Sequence, residues 1–548
     1  MPTRNRSICL PLPAHHRPWL ICCLALCFLL PLRAQDDFNS TLPILLITTN
    51  DIEIPDEPKI DARLQIIDNG PGASNRPTDS PTTEVLLGIE RRGSTSQTAF
   101  PKVGYALETR DENGDDLEIS LLGFPQEEDW VLHGPYSDKS LVRNALAYEL
   151  AGRIMAYAPR IRLTELLING EYQGVYLFTE RIKRDNDRVD IARLNEDENS
   201  GDDLTGGYIL KIDKFTGEDP EEEVFFPSDY RADTEEEQTI RFLYHYPRPD
   251  RITAPQRSYI ESWIGNFEDV LAGSNYLDPV LGYRRYVDLQ SFVDFLIINE
   301  ISRNVDGYRL STYMYKDKDS DGGRLHMGPV WDFNLAFGNA NYCGGGAVQG
   351  WGFNFGVNCP SDPWQIPFWW DRLLDDPEFQ DLLADRWREL RSGPFSNDNL
   401  NATIDSLVNE MGDAADRNFD RWPVLGEPVW PNLFVGDTYA EEVDYLKQWT
   451  IDRAEWMDGA MPTLTPVRNP APDAPLRLFP NPTAGTVSLT DAAELRFREL
   501  RLYDARGRQL LRQRAGTDID LGPLPPGFYV VRALDDQGRW HGARLVRR

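Results

Sequence analysis

The sequence predicts an α+β protein in two lobes, followed by a small all-β C-terminal domain. Three observations carry this reading. A strand-rich first half holds a single helix, a helix-rich second half follows, and a Pro-rich break near Thr465 precedes renewed strand-type alternation. At 548 residues the chain is long for one domain, and 41 % hydrophobic with 11 % aromatic content is ample for a sizeable core. The expected boundaries are 1–34 for an export signal, 35–83 for an N-terminal extension, 84–460 for the main domain, 461–475 for a linker and 476–548 for the terminal domain.

Taken in order, Arg4, Arg6 and Arg17 precede the apolar run WLICCLALCFLLPL, and RAQ offers cleavage after Ala34, the pattern of a secretory signal. The alternative is a membrane anchor, but the run falls short of the roughly 20 residues that span a bilayer. No other stretch is long and apolar enough to cross one. LPILLITTN and DARLQIIDNG read as strands, and TEVLLGIERRGSTSQTAFPKVGYALETR as two strands around a polar loop. SDKSLVRNALAYELAGRIMAYAPR starts with a Ser/Asp cap signal and has helical spacing, with Pro159 closing it. RIRLTELLINGEYQGVYLFTERI is a hairpin around Asn-Gly, and GGYILKIDK is another strand. The acidic stretch 216–238 reads as a solvated loop or insertion. From about Arg257 the pattern turns helical, with LQSFVDFLIINEIS as a buried helix, and helical segments continue to Met457.

The net charge of −31 argues against a nucleic-acid binder, because a phosphate backbone would be repelled. An anionic ligand would need a local basic pocket or metal ions. Four of the six cysteines, Cys9, Cys22, Cys23 and Cys27, lie in the signal. Cys343 and Cys359 remain, flanking a Gly-rich loop. Two thiols closing one loop in an exported protein suggest a disulfide and are too sparse for a structural zinc site.

Two acids stand out in otherwise apolar, aromatic sequence: Asp306 in RNVDGYRLSTYMYKD and Asp332 in GPVWDFNLAFG. They could be structural caps, a metal site, or the two halves of a phosphoryl-transfer centre. Phosphoryl transfer needs a carboxylate near the attacking hydroxyl, carboxylates on Mg²⁺ and cations on the phosphates. The order here is a strand with a Lys, a helix, a hairpin, a buried helix, an acid-bearing loop, two strands and a second acid-bearing loop. That is also the order of a bilobal protein kinase. DKDSDGG imitates the start of a calcium loop but has Gly328 where the twelfth-position acid belongs, so it reads as a solvated turn. The six histidines are scattered, only His326 is near these acids in sequence, and hydrolase chemistry is not favoured.

Six ordered blocks, RRGSTSQTAFPK, HGPYSDKSLVRNALAYEL, INGEYQGVYLFTERI, GGYILKID, NVDGYRLSTYMYKD and GPVWDFNLAFGN, resemble the CotH family of spore-coat-type secreted kinases with an atypical protein-kinase-like fold. The resemblance implies Asp306 as catalytic acid, Asp332 as a Mg²⁺ ligand, and ATP with Mg²⁺ or Mn²⁺ as cofactors. The family often has Asn five residues after the catalytic acid. This chain has Ser311 there, a weaker metal ligand, and Asn334 is a substitute oxygen. Lys102, Lys139 and Arg143 are the candidate phosphate contacts, with Arg92 at the mouth of the polar loop. Each of these three cations could equally be a surface or ion-pair residue. Glu180 is a candidate nucleotide or metal contact at the lobe junction, Glu149 a candidate partner for Lys102, and Lys183 and Lys211 are in reserve.

The last 70 or so residues carry LFPNPTAG, LRLYDARGRQLL, LPPGFYVVRAL and ARLVRR, and resemble the C-terminal sorting domain of the type IX secretion system, an Ig-like sandwich. With 13 Arg against 8 acids from Leu476 onward, this part reverses the charge of the rest and holds no cluster for chemistry. The expectation is an exported kinase, passing through the periplasm to the surface or medium, that moves phosphate from ATP to Ser or Thr of an extracellular or surface protein. Its partners would be that protein and the type IX machinery. The alternative is an inactive surface binding or structural protein on the same scaffold. AMP transfer would use the same residues.

Overall fold

In a computed structural model of the chain the described residues are 38–215, 224–232, 238–461, 474–489, 497–504, 509–514, 518–535 and 540–548. The expected signal, 1–34, lies outside them, as do 216–223 and 233–237 of the acidic stretch and most of the expected linker.

Seven strands open the fold: β1 (Ile44–Thr48), β2 (Ile60–Ile67), β3 (Thr83–Arg92), β4 (Gly104–Arg110), β5 (Asp129–His133), β6 (Ile161–Ile168) and β7 (Glu171–Glu180). They close a barrel in the order β1-β2-β3-β4-β5-β7-β6, antiparallel throughout except where β1 lies parallel to β6. Alternation along each strand sends Leu64, Val85, Leu87, Leu107, Leu132, Leu166 and Phe178 inward to one apolar cluster. The two strands of the N-terminal extension are therefore staves of the same barrel. The β6–β7 turn places Asn169 and Gly170 at φ 50° and 79°, the left-handed pair that a two-residue hairpin favours.

Two helices interrupt these strands, α1 (Thr95–Ala99) in the polar loop and α2 (Arg143–Gly152) before the hairpin. α2 ends seven residues short of Pro159. It unwinds after Gly152, a poor helix former, through amides of Ile154 and Met155 that both turn back to the Ala151 carbonyl.

A second, antiparallel sheet is built from β8 (Tyr208–Ile212), β9 (Phe225–Arg231), β10 (Thr239–Tyr246), β11 (Thr312–Lys316) and β12 (Leu325–Met327), in the order β12-β11-β8-β10-β9. Part of the acidic stretch read as loop is thus strand. Phe226 is buried against Phe242 and Tyr244, and that aromatic contact outweighs the flanking glutamates.

The remaining helices are α3 (Ala254–Ala272), α4 (Leu289–Ser302), α5 (Phe355–Asn358), α6 (Trp369–Leu374), α7 (Pro377–Arg391), α8 (Asn397–Met411), α9 (Ala414–Arg421) and α10 (Tyr439–Ala460). α4 is capped by the Asp288 carboxylate on the Ser291 amide and is buried from Phe292 to Ser302, as expected of a helix apolar on all sides. α9 is docked on the barrel by Arg417, which makes a two-pronged bond to the buried Glu165 of β6 at 2.9 and 2.8 Å.

From Ala474 onward the described residues are all β. Strands β13 (Ala474–Pro475), β14 (Leu478–Phe479), β15 (Thr486–Leu489), β16 (Phe497–Asp504), β17 (Gln509–Arg514), β18 (Asp518–Asp520), β19 (Gly527–Asp535) and β20 (Trp540–Arg547) form a five-stranded and a three-stranded sheet. Both contribute to one core containing Val487, Leu500, Ile519, Val531 and Leu545. Among the described residues no helix is long and apolar enough to cross a membrane.

Candidate active site

A cleft of about 870 Å³ is lined by barrel residues from β3, β4, β5 and β7, by the end of β8, and by the loops that carry Asp306 and Asp332. Both acids singled out in the sequence therefore face one space.

Asp306 sits in a run of turns between α4 and β11. The Gly307 amide bonds to the Asn304 carbonyl and the Leu310 amide to the Asp306 carbonyl. A Cβ on Gly307 would meet Asn299 Oδ1 at 2.4 Å, so the close approach of this turn to α4 demands glycine. Arg309 Nη2 donates to Asp306 Oδ1 at 2.7 Å. Burial pushes the Asp306 carboxyl up, with Arg309 the strongest influence pulling the other way.

Asp332 is held by α2. The Asp332 amide donates to the Tyr148 hydroxyl at 3.1 Å, the Phe333 amide donates to Asn144 Oδ1 at 2.5 Å, and Trp331 stacks on Tyr148. Burial, then the charges of Asp306 and Asp213, raise the Asp332 carboxyl to about 7. Arg303, Tyr308, Ser311 and Asp332 all have left-handed backbone, at φ 43°, 69°, 47° and 62°. For Tyr308 in particular this is a strained state, and such strain concentrates where geometry serves a site.

Cations face the same space. Arg92, Arg181, Lys211 and Lys214 line the cleft. The Arg92 guanidinium stacks over Trp331, and its Nη1 is buried without a hydrogen-bond partner among the described residues. Lys214 reaches Thr95 Oγ1 of α1 at 3.5 Å. A buried, unsatisfied guanidinium nitrogen in so acidic a chain calls for an anion. The arrangement thus combines carboxylates able to hold a divalent cation with cations able to hold phosphate.

Residues 89–457 match the CotH kinase protein family, two thirds of the chain. The chain belongs to the CotH kinase family. Residues 477–546 match the secretion system C-terminal sorting domain, which marks this CotH protein for export by the type IX system to the cell surface or medium. No curated protein matches the chain.

The other candidate residues of this CotH protein are placed as follows. Ser311 and Asn334 line the cleft. Lys102, Lys139, Arg143 and Glu180 do not. Lys102 is buried with Nζ 2.7 Å from Asn418 Oδ1 of α9, over the Tyr176 ring, and burial lowers its pKa well below the usual value. Lys139 donates to the Glu427 carbonyl at 2.5 Å. Arg143 forms a buried ion pair with Asp138 at 2.6 Å. Glu180 is buried on the opposite strand face from its neighbours Thr179 and Arg181, bonded to Arg160 and Tyr157. Glu149 is exposed on α2. Lys183 sits among Glu127, Glu128 and Asp129, an ion-pair cluster with carboxylate oxygens within 4.8 Å of one another. Cys343 and Cys359 form the expected disulfide.

Sequence reasoning missed Asp213. Thr312 pairs with Ile212 across the β8–β11 ladder, so the next residues outward, Ser311 and Asp213, leave it side by side at the cleft. The only signal was a polar Asp-Lys pair ending a buried strand. It also missed His133 and His245, which line the cleft although both are far from Asp306 and Asp332 in sequence. Burial lowers them to about 4 and about 3, so both are neutral.

Proposed function

We propose that the protein is an exported kinase on a bilobal kinase-like scaffold with an Ig-like sorting domain. It binds ATP with Mg²⁺ or Mn²⁺ in the cleft and phosphorylates Ser or Thr of an extracellular or surface protein. The observation that carries this reading is that Asp306 and Asp332 share one cleft with Arg92, whose buried Nη1 lacks a partner among the described residues.

The donor set suits a hard divalent cation: Asp332 offers a half-buried carboxylate, and Asp213, beside Ser311, offers a second where a hydroxyl alone would bind weakly. The bound metal would neutralise charge on the phosphates. Arg92, Lys211 and Lys214 would meet phosphate oxygens, in place of Lys102, Lys139 and Arg143. Arg309 occupies Oδ1 of Asp306, which leaves Oδ2 to orient the acceptor hydroxyl and take its proton as the new O–P bond forms and the bond from the γ-phosphorus to the departing ADP oxygen breaks. Apolar walls such as Ala106, Val131 and Leu177 exclude water around few, fixed charges.

The test is γ-labelled ATP with Mg²⁺ or Mn²⁺ and dephosphorylated casein, using the native chain, Asp306→Ala and Asp332→Ala. Transfer lost in both variants with the fold intact supports a kinase, and transfer retained in Asp332→Ala would sink it. Ser311 favours a second reading, a binding protein without turnover, which predicts no metal-dependent nucleotide binding at all.

A further inference from the structure

We propose that the Cys343–Cys359 crosslink positions Asp306 through Asp362 and Arg309, so that the site is assembled only in the oxidised, exported protein. This rests on the reading of Asp306 as the residue that orients the acceptor.

A continuous set of short contacts runs from sulfur to carboxylate. The Cys359 carbonyl accepts from the Asp362 amide at 3.2 Å and from Gln365 Nε2 at 2.9 Å. Asp362 Oδ1 accepts from the Trp364 amide at 2.8 Å and from Arg309 Nη1 at 3.1 Å. Arg309 then grips Asp306 Oδ1 at 2.7 Å, with its Nε on the Val305 carbonyl at 2.9 Å. Its guanidinium lies 4.1 Å from the centroid of Phe355, and Phe355 accepts the Cys359 amide through its carbonyl at 2.8 Å. Arg309 is buried, so its direction is set by these partners and not by solvent.

The other end of the crosslink leads to the same place. The carbonyls of Gly344 and Gly350 accept from Arg303, three residues before Asp306. A Cβ on Gly345 would come within 3.1 Å of Val305 Cβ, so the loop rests directly on the Asp306 turn. Val305, Leu335, Ala340 and Phe355 form a small apolar cluster against which both cysteines pack.

The enclosed segment does not hold itself. Six of the fifteen residues between the cysteines are glycine, and its only α-helix is the four-residue α5. Glu300 fixes the Gly352 and Phe353 amides, which secures the middle of the loop. The Cys359–Asp362 end depends on the crosslink. Gly-rich chain loses the most entropy on ordering, so the tether matters most there.

The covalent step is thiol–disulfide exchange with a disulfide oxidant of the compartment the chain is exported through. One cysteine thiolate attacks that disulfide to give a mixed disulfide. The second thiolate displaces the oxidant as a dithiol, which carries away the two electrons and two protons. In the reducing cytoplasm the pair stays as thiols and the Asp362–Arg309–Asp306 set lacks its anchor.

The experiment compares the full chain oxidised, reduced with dithiothreitol, and as the Cys343→Ser/Cys359→Ser double variant. Transfer from Mg²⁺-ATP to dephosphorylated casein, Mg²⁺-ATP affinity, and amide hydrogen exchange are measured in each. Reduction is expected to lower the rate of transfer about 10- to 100-fold, the scale of a reacting group displaced by about 1 Å, with nucleotide affinity retained. Protection of residues 303–311 and 359–365 falls in the reduced protein, and reoxidation restores both. The double variant behaves as the reduced protein and ignores dithiothreitol. Arg309→Lys keeps more of the rate than Arg309→Met, with equal nucleotide affinity in the two. Protection of 303–311 that is the same in both redox states overturns the proposal, whatever the transfer rate. An oxidised chain that neither binds nucleotide nor transfers phosphate overturns the kinase reading instead, and the exchange data still decide the coupling.

Discussion

The Arg92 guanidinium lies 4.8 Å above the Trp331 ring, and the next residue in the chain is Asp332. The half-buried cation thus packs on the chain neighbour of the acid expected to hold metal. Burial lowers the Arg92 pKa, which means the charge is held at a cost that a bound anion would offset. Arg92→Met keeps apolar contact with Trp331 and removes the charge. The expected result is a rise of about 10- to 100-fold in the Kd for Mg²⁺-ATP by calorimetry, the scale of one charge-assisted hydrogen bond. Thermal stability should hold or rise. Unchanged affinity would take Arg92 out of the anion site.

Asp332 gives a pH dependence with a definite sign. Its carboxyl titrates near 3.8 as a free group and at about 7 in the folded, metal-free protein. Between these values the folded state binds a proton that the unfolded state has lost, so Asp332 makes stability fall as pH rises through that window. Asp332→Asn removes the effect. Its advantage in melting temperature over the native chain should be near zero at pH 4 and full above pH 7 in metal-free buffer. A gap that does not change with pH would refute the assignment. For the same reason Mg²⁺ affinity should weaken by about tenfold per unit below pH 7, since the ion displaces a proton.

Lys102 serves as a control within the fold. Its Nζ bonds to Asn418 Oδ1, which also accepts the Val175 amide at 3.2 Å and so keeps a partner without it. Lys102→Met should leave nucleotide affinity unchanged and shift stability by no more than about 1 kcal/mol, since a desolvated charge is exchanged for apolar volume. A large loss of nucleotide binding would return Lys102 to the site.

Arg143 predicts the opposite. Its pair with Asp138 is buried on both sides, and the Ser140 hydroxyl also accepts from it at 3.2 Å. Arg143→Met strands the Asp138 charge and should destabilise the fold by about 3–5 kcal/mol in denaturant titration, as for other broken buried pairs. A loss under about 1 kcal/mol would show that solvent reaches Asp138 once its partner is gone.

The sequence made α4, the Asn169–Gly170 hairpin and the two acids legible because each is written in neighbouring residues: an apolar run, a turn dipeptide, an acid among aromatics. The cations were harder. Lys102 is fixed by Asn418 more than 300 positions away, and Lys139 by Glu427. Nothing local announces such partners. Glu180 failed by a single step of strand alternation, since Thr179 and Arg181 face the cleft and the residue between them faces away. His133 and His245 enter the site only because the barrel and the second sheet bring β5 and β10 to the same wall.

The family match starts at residue 89, inside β3, while β1 and β2 precede it. A chain trimmed to the matched residues would keep Asp306, Asp332 and the cations of the cleft named above, yet it would lose two staves and more than half of a third. β6 would then present the backbone edge now paired with β1, and Leu107, Leu132 and Phe178 would meet water. Open edges of that kind recruit other chains. Recombinant material cut at the homology boundary should therefore collect in inclusion bodies, and preparations beginning near residue 38 should stay dispersed.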